Sequence, residues 1–190
     1  MTLNGRNGPA EAQGDRPRRH TLAIQVDNRP GVLARVTTLI SGRGFNIDSL
    51  SVAETMDPEV SLITLIITGS PRIIAQITKQ LRKLINVIKV TDLSEMDYVE
   101  RQLIMVRIRA EDESSRSEIM RLCEIFRAKV IDVSLKSFTL EITGGSDKIA
   151  AALSLLAGFG IEEQVSTGLT AMTRSSQQKQ APKGVPTSGL

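Results

Sequence analysis

Residues 22–40, LAIQVDNRPGVLARVTTLI, change their hydrophobic period at a Pro-Gly pair. Before that pair Leu22, Ile24 and Val26 occupy alternate positions, which is typical of a strand. After it the apolar residues recur at helical spacing. They are Val32, Leu33, Val36, Leu39 and Ile40. Pro30 fits the first turn of the helix, where its missing N–H costs no hydrogen bond. The stretch therefore predicts a strand followed directly by a helix.

The next fifty residues complete a unit with the order βαββαβ. Residues 46–55 and 60–69 predict two strands joined by a turn at Met56–Glu59, in which Pro58 suits the second turn position. Ser70-Pro71 predicts the start of a second helix. Its inner face consists of Ile73, Ile74, Ile77, Leu81 and Leu84. Val87, Ile88 and Val90 begin a further strand.

The same order then repeats. Strands are predicted over residues 103–108, 130–133, 138–142 and 161–169. A helix starting near Ser114 or Ser115 would bury Ile119, Leu122, Cys123 and Phe126, and a helix capped by Ser146 would bury Ile149, Leu153 and Leu156. Two such units define an α+β protein made of two consecutive ferredoxin-like βαββαβ domains. We expect domains at residues 20–96 and 97–173, with the seam near residues 94–98.

Both ends of the chain differ in composition from the middle. Residues 1–19 and 174–190 are rich in Gly, Pro, Gln and Ser, and we expect both to be disordered tails. The tails carry net charges of +2 and +3 within a total of +3, so residues 20–173 carry −2. A nucleic-acid-binding domain would have its basic residues on a folded face, and the chain has only four Phe, one Tyr and no Trp for base stacking. We therefore expect no nucleic-acid partner.

Several features indicate a cytoplasmic protein without a membrane partner. No apolar stretch approaches the roughly 20 residues that cross a bilayer. Residues 1–19 lack the apolar core of a signal peptide. A single cysteine, Cys123, rules out an internal disulfide.

The segment VSLITLIIT, residues 60–68, is apolar on both faces of its predicted strand. Ile63, Leu65 and Ile67 form one face, and Val60, Leu62 and Ile66 form the other. Because the ferredoxin-like plan puts both helices on one side of the sheet, we expect the second face to meet another subunit.

No constellation of catalytic residues is evident. His20, the one histidine, lies beside the basic tail, and Cys123 lies on the apolar stripe of its helix with no partner base. There is no CxxC motif or His pair at metal-ligand spacing, so we expect no metal site. GRG at 42–44 lacks the dinucleotide-binding context. TGGSDK at 143–148 runs from strand to helix and favours a turn over a phosphate site. The chain is therefore not expected to be an enzyme.

The junction DNRPGVL, residues 27–33, has the chemistry of a small anion site. The N–H groups of Gly31, Val32 and Leu33 lie at a predicted helix N-terminus, where a carboxylate is favoured. Asn28 can offer an amide there. Asn46 from a neighbouring strand could add another, and Ile47 could enclose an apolar side chain. These residues fit a small amino acid as effector, and they equally fit a capped turn without a ligand.

A family resemblance favours the first alternative. The sequence NRPGVLARVTTLISGRGFNIDSLSV, residues 28–52, closely resembles the ACT domain that opens the regulatory small subunit of acetohydroxyacid synthase, also called acetolactate synthase. The similarity continues through KQLRKLINVIKVTDLS, VERQLIMVRI and EIFRAKVIDVS, and covers roughly residues 20–173. Both tails lie outside it.

The resemblance implies a noncatalytic subunit that activates the catalytic subunit and confers feedback inhibition by a branched-chain amino acid, valine before leucine or isoleucine. It implies that residues 20–96 form an ACT domain that pairs as a homodimer. Asn28, Gly31, Val32 and Leu33 would hold the effector from one chain, and Asn46 and Ile47 from the other. Thiamine diphosphate, Mg and FAD would belong to the catalytic partner, and this chain would bind no cofactor. The alternative is an ACT-type amino-acid sensor that regulates a different enzyme.

Overall fold

The computed structural model describes residues 16–175, and the remaining parts of both predicted tails lie outside the described residues. The chain divides between Asp92 and Leu93 into two units. Each has the predicted βαββαβ order, so the α+β fold class with two ferredoxin-like units is confirmed.

The first unit is a four-stranded antiparallel sheet with two helices. Its elements are β1 (Arg18–Asp27), α1 (Val32–Ser41), β2 (Ser49–Glu54), β3 (Val60–Gly69), α2 (Pro71–Leu81) and β4 (Val87–Asp92). The strand order is β2-β3-β1-β4, which leaves β2 at one edge. Strand β1 begins two residues before the expected domain boundary at residue 20.

The core of the first unit lies between the sheet and its helices. The register pairs Leu22 with Leu65 and Ile24 with Ile63, so these four buried side chains share one face of the sheet. The helices contribute Val32, Val36, Ile40, Ile74, Ile77 and Leu81 to the same cluster. Burying each such side chain stabilises the fold by about 1.5–3 kcal/mol, which explains why the two periodicities predict these elements well.

The other face of β3 is only partly open. Thr64 and Ile66 are buried, whereas Val60 and Leu62 are half-buried. The contact of this face with another subunit stays a prediction.

Three details of the first unit differ from the sequence-based expectation. Pro30 lies in a turn, and α1 begins only at Val32 after Gly31 adopts a left-handed conformation with φ 83°. Leu33 is 39% exposed, because the buried stripe of α1 consists of Val32, Val36 and Ile40. His20 lies within β1, and its side chain is buried instead of sitting at a tail or strand edge.

The second unit repeats the plan and adds a strand. Its elements are β5 (Tyr98–Arg109), α3 (Glu113–Phe126), β6 (Lys129–Val133), β7 (Ser137–Gly144), α4 (Ser146–Leu156), β8 (Ile161–Ser166) and β9 (Thr170–Thr173). The order is β6-β7-β5-β8, and β9 pairs with residues 98–101 of β5. The single strand predicted over residues 161–169 is wrong at its end, since β8 stops at Ser166 and, after a break of three residues, the chain continues in the same direction along β5 as β9.

The N-terminus of α4 differs from the expectation that Ser146 caps this helix. Ser146 is the first residue of α4, and its N–H donates to the Glu100 carboxylate of β5 at 3.0 Å. Helix α3 begins at Glu113, close to the start predicted near Ser114 or Ser115, and its N-cap is Asp112. The Asp112 carboxylate accepts from the N–H and from the hydroxyl of Ser115, at 2.8 Å each. A carboxylate of the protein thus occupies the N-terminus of each helix of this unit.

The Asp112 cap gives a pH-dependent prediction. Its hydrogen bonds from Ser115, the backbone bond foremost, lower the pKa of Asp112 from its ordinary value of 3.8. The cap therefore stabilises the folded state fully above that ordinary value, and its contribution is lost as the pH falls through the lowered value. We expect Asp112→Ala to lower the thermal unfolding midpoint at pH 7, and the difference from wild type to shrink below pH 3.8.

Asp112→Asn is the matched control, because an amide oxygen caps a helix comparably but does not titrate. This variant should keep most of the midpoint at pH 7. An Asn variant as unstable as the Ala variant would contradict the hydrogen-bonded cap as the source of the stability.

Candidate effector-binding site

The turn between β1 and α1 leaves backbone N–H groups at a helix N-terminus. Gly31, the N-cap residue, is left-handed, and the N–H of Val32 donates to the Arg29 carbonyl at 3.3 Å. Within residues 16–175, the N–H groups of Gly31 and Leu33 have no backbone acceptor, and the first turn of α1 contains no acidic residue. Of the three N–H groups predicted for the site, two thus remain for an anion and one belongs to the turn.

Asn28 is committed to the neighbouring hairpin. Its backbone N–H donates to the Glu59 carbonyl at 2.7 Å. Its side-chain Nδ2 donates to Glu54 Oε1 at 3.0 Å and to the Pro58 carbonyl at 2.9 Å. Because an amide NH2 has two hydrogens, the Oδ1 atom is the part of Asn28 suited to a ligand. Asn28 would then accept from an ammonium group instead of donating to a carboxylate.

Asn46 and Ile47 lie just before β2. The Asn46 side chain donates to Asp48 Oδ1 at 3.1 Å. Asp48 is fixed in turn to β3, since its N–H donates to the Ile66 carbonyl and its Oδ2 accepts from the Thr68 hydroxyl. Ile47 is half-buried and packs against the core of the first unit. Both residues are therefore held in place by the fold.

The structure separates these predicted residues into two groups. Asn28 is bonded to Glu59, the residue before β3, and Asp48 is bonded to Ile66 within β3, seven residues further along the chain. At about 3.3 Å per residue this is roughly 23 Å. Asn28, Gly31, Val32 and Leu33 lie at one end of the unit, and Asn46 and Ile47 lie at the other. One chain alone cannot bring both groups to one small molecule.

Sequence reasoning missed a side-chain network beside Gly31. Arg35 Nη1 donates to Asn86 Oδ1 at 2.9 Å, and Asn86 Nδ2 donates to Asp27 Oδ2 at 2.8 Å. The Asp27 N–H also donates to the Asn86 carbonyl at 2.9 Å. The spacing of Arg35 four residues after Gly31 was a usable signal, because helical side chains lean toward the N-terminus. The role of Asn86 could not be predicted from the neighbouring sequence, since Asn86 lies in the loop after α2.

The other candidate residues have structural roles. His20 Nδ1 lies 2.9 Å from Asp92 Oδ2, and Arg18 Nε donates to His20 Nε2 at 3.3 Å. Cys123 lies in the second core, and burial raises the pKa of its thiol, which disfavours a nucleophilic thiolate. In the TGGSDK turn, the Glu100 carboxylate occupies the start of α4, so a phosphate would meet a negative charge there.

Within the described residues, no group of three or more His, Cys, Asp or Glu side chains is arranged to hold a metal ion. In the same part of the chain, the helices are too short or too polar to span a bilayer.

Comparison with known proteins gives the class of the first unit and then the family of the chain. Residues 22–89 match the family described as AHAS small subunit-like ACT domain, which makes the first unit an ACT-like domain. Residues 101–175 match the family described as small subunit of acetolactate synthase. The chain belongs to the acetolactate synthase small-subunit family.

Individual relatives are similar in sequence to this chain over nearly all of its described residues. The acetolactate synthase small subunit of Aquifex aeolicus is 44% identical over 163 residues, which is 86% of this chain and 85% of the relative. A probable acetolactate synthase small subunit of Methanothermobacter thermautotrophicus is 48% identical over 85% of this chain and 96% of the relative. The crystal structure of the Thermotoga maritima small subunit superposes with a TM-score of 0.72 at 40% identity, covering 83% of this chain and 98% of that one.

The left-handed backbone of Gly31 predicts a stability effect that is independent of any ligand. A Cβ atom at Gly31 would have room, since the nearest atom, Arg35 Nη2, lies 3.8 Å away. Its φ of 83° is nevertheless strained for alanine, at a cost of about 1–2 kcal/mol. We expect Gly31→Ala to lower the free energy of unfolding of the first unit by about that amount, as measured by urea denaturation.

Gly44 is the matched control, because it has φ 77° and open space around its Cβ position. Gly44→Ala should cost about the same. A Gly31→Ala protein as stable as wild type would mean that the turn relaxes to another conformation.

Proposed function

We propose that this chain is the noncatalytic regulatory subunit of an acetolactate synthase. In this proposal it raises the activity of the catalytic subunit and confers feedback inhibition by a branched-chain amino acid, with valine the first candidate. The catalytic subunit holds thiamine diphosphate, Mg and FAD, and no residue of this chain is assigned to them. The observation that supports a shared effector site is that its predicted residues lie at the two ends of β3. A ligand that contacts both groups therefore needs a second copy of the chain.

The open edge of the sheet supports pairing of two chains through β2. Thr55 N–H donates to the Val60 carbonyl at 3.0 Å, so alternate residues of β2 face β3 and the backbone groups of Leu50 and Val52 face the edge. A two-fold axis would pair β2 antiparallel with its copy. The start of one β2 then lies beside the end of the other. Asn46, three residues before β2, would approach the copy's Asn28, which is bonded to Glu54 at the end of β2.

The groups gathered at such a junction match a zwitterion with an aliphatic side chain. The N–H groups of Gly31 and Leu33 and the dipole of α1 favour a carboxylate. Asn28 Oδ1 can accept from the ammonium group. From the second chain, Asn46 adds an amide and Ile47 an apolar surface. We assign no preference among valine, leucine and isoleucine beyond the family resemblance, because one methylene changes affinity by only about 1–3 kcal/mol.

The second unit supports a division of roles. Its helix α3 starts at the position equivalent to α1, but the Asp112 carboxylate already occupies that N-terminus. An effector carboxylate would meet this charge, so we assign effector binding to the ACT domain at residues 20–96. We assign contact with the catalytic subunit to the domain at residues 97–173.

A site shared between two chains predicts complementation between two defective variants. Gly31→Asp places a carboxylate where the effector's must bind, and Asn46→Ala removes the contact from the other chain. In a dimer with one chain of each kind, both defects fall in one site and the second site is intact. We expect each homodimer to bind valine weakly. The doubly tagged mixed dimer should bind it with wild-type affinity at about half the wild-type stoichiometry, as measured by calorimetry.

The control for Gly31→Asp is Gly31→Asn, which has nearly the same shape and tolerates a positive φ but adds no charge. It should bind valine better than the Asp variant. A mixed dimer as defective as its parents would disprove the shared site. Absence of branched-chain amino-acid binding by wild type, with or without catalytic subunit, would disprove the effector role.

Feedback inhibition also requires that the effector and the catalytic subunit influence each other's binding. Such couplings are typically about 1–3 kcal/mol and reciprocal, so saturating catalytic subunit should change the valine dissociation constant by about 5–150-fold. A calorimetric titration with and without the catalytic subunit measures this. Equal constants in the two titrations would contradict the proposed regulation.

A further inference from the structure

Arg35 places a guanidinium group beside the proposed carboxylate site. Its Nη2 atom is 3.8 Å from the Cβ position of Gly31, the residue whose N–H begins the site. This placement follows from helix geometry, because a side chain four residues further along leans back over the preceding turn. The guanidinium therefore lies beside the first turn of α1, although the Arg35 side chain as a whole is exposed.

This is an unfavourable place for a cation when no anion is bound. A helix N-terminus carries a partial positive charge, and the first turn of α1 has no acidic residue to offset it. Among the described residues, the Asp27 carboxylate is linked to Arg35 through the Asn86 amide. The Asn86 side-chain oxygen accepts a hydrogen bond from Nη1 of the guanidinium, and Nη2 is the nitrogen that lies near Gly31.

We propose that Arg35 binds the effector carboxylate together with the N–H groups of Gly31 and Leu33, and that Asn86 and Asp27 are positioning residues that hold the guanidinium in place. This inference rests on the proposed function, and it adds a charged anchor from the same chain as the N–H groups. It follows that recognition depends on the negative charge of the effector, since Arg35 presents donors of fixed planar geometry to a carboxylate.

A purely structural role for Arg35 makes a different prediction. As a tie between α1 and the loop after α2, Arg35 would support the fold of the whole turn. Its loss would then weaken every ligand of the site to the same degree. A role in charge recognition affects only ligands that carry a carboxylate.

The experiment compares L-valine with L-valinamide, which keeps the ammonium and side chain but lacks the negative charge. Full-length wild type, Arg35→Gln, Arg35→Lys and the control Arg72→Gln are titrated calorimetrically in the presence of the catalytic subunit. Arg72 is an exposed arginine in the first turn of α2, so its variant makes the same charge change at another helix start. Thermal unfolding of each variant is measured alongside.

We expect Arg35→Gln to weaken L-valine binding about tenfold or more, because a hydrogen bond to a charged group is lost. L-Valinamide binding should stay within about twofold of wild type. Arg35→Lys should fall between Gln and wild type for L-valine, since it keeps the charge but not the fork. Arg72→Gln should match wild type for both ligands.

Equal weakening of both ligands by Arg35→Gln, together with a lower unfolding midpoint, would overturn the proposal in favour of the structural tie. Unchanged L-valine binding would overturn it as well. Both results leave the effector site standing, because wild type still binds valine. If wild type binds neither ligand, the effector function itself fails, and the role of Arg35 fails with it.

Discussion

Strand β3 fixes the distance between the two halves of the candidate site, and the arrangement of the first unit follows from that distance. Asn28 is tied to one end of the strand through Glu59, and Asp48 is tied to the other end through Ile66. Between these points β3 is hydrogen-bonded on both sides and contributes Ile63 and Leu65 to the core. No small motion of one chain can close a gap of roughly 23 Å across such a strand. A small ligand that needs both halves can therefore bind only where two chains meet.

The two units differ in whether a carboxylate of the protein lies at the N-terminus of their first helix. Helix α1 begins after a left-handed glycine with no acid in its first turn, whereas α3 begins with a carboxylate that already accepts from Ser115. Helix α4 receives the Glu100 carboxylate from β5. Since a helix N-terminus attracts negative charge, the presence or absence of a capping carboxylate decides whether an external anion has a place there. Residue choice at a cap, and not the layout of strands and helices, separates the two units in this respect.

Sequence periodicity predicts the elements of both units because burial of apolar faces sets their positions. Alternation at Leu22, Ile24 and Val26 and the helical spacing of Val32, Val36 and Ile40 correspond directly to the core. Contacts distant in sequence are not predictable in this way. The Glu100 cap of α4 comes from 46 residues earlier, Asn86 meets Arg35 from 51 residues later, and β9 forms only because β5 extends to Tyr98. The left-handed conformation of Gly31 depends on the turn next to it in the sequence. That turn was not predicted, because Pro30 is compatible with both a helix start and the turn that precedes it.

A ligand that touches two chains is physically suited to regulation. Such a ligand binds with its full free energy only in one arrangement of the two chains. In that arrangement one chain makes the carboxylate and ammonium contacts, and the other makes the Asn46 and Ile47 contacts. A ligand can shift an equilibrium only by its difference in affinity between two states, and a site contained within one rigid unit would have nearly the same affinity in both. In the proposed dimer, splitting the contacts across the β2 edge would give the effector that difference, because a change in the pairing of two rigid units would move one half of the site relative to the other. A catalytic subunit that also favours one pairing would then be coupled to the effector without any change inside either ACT domain.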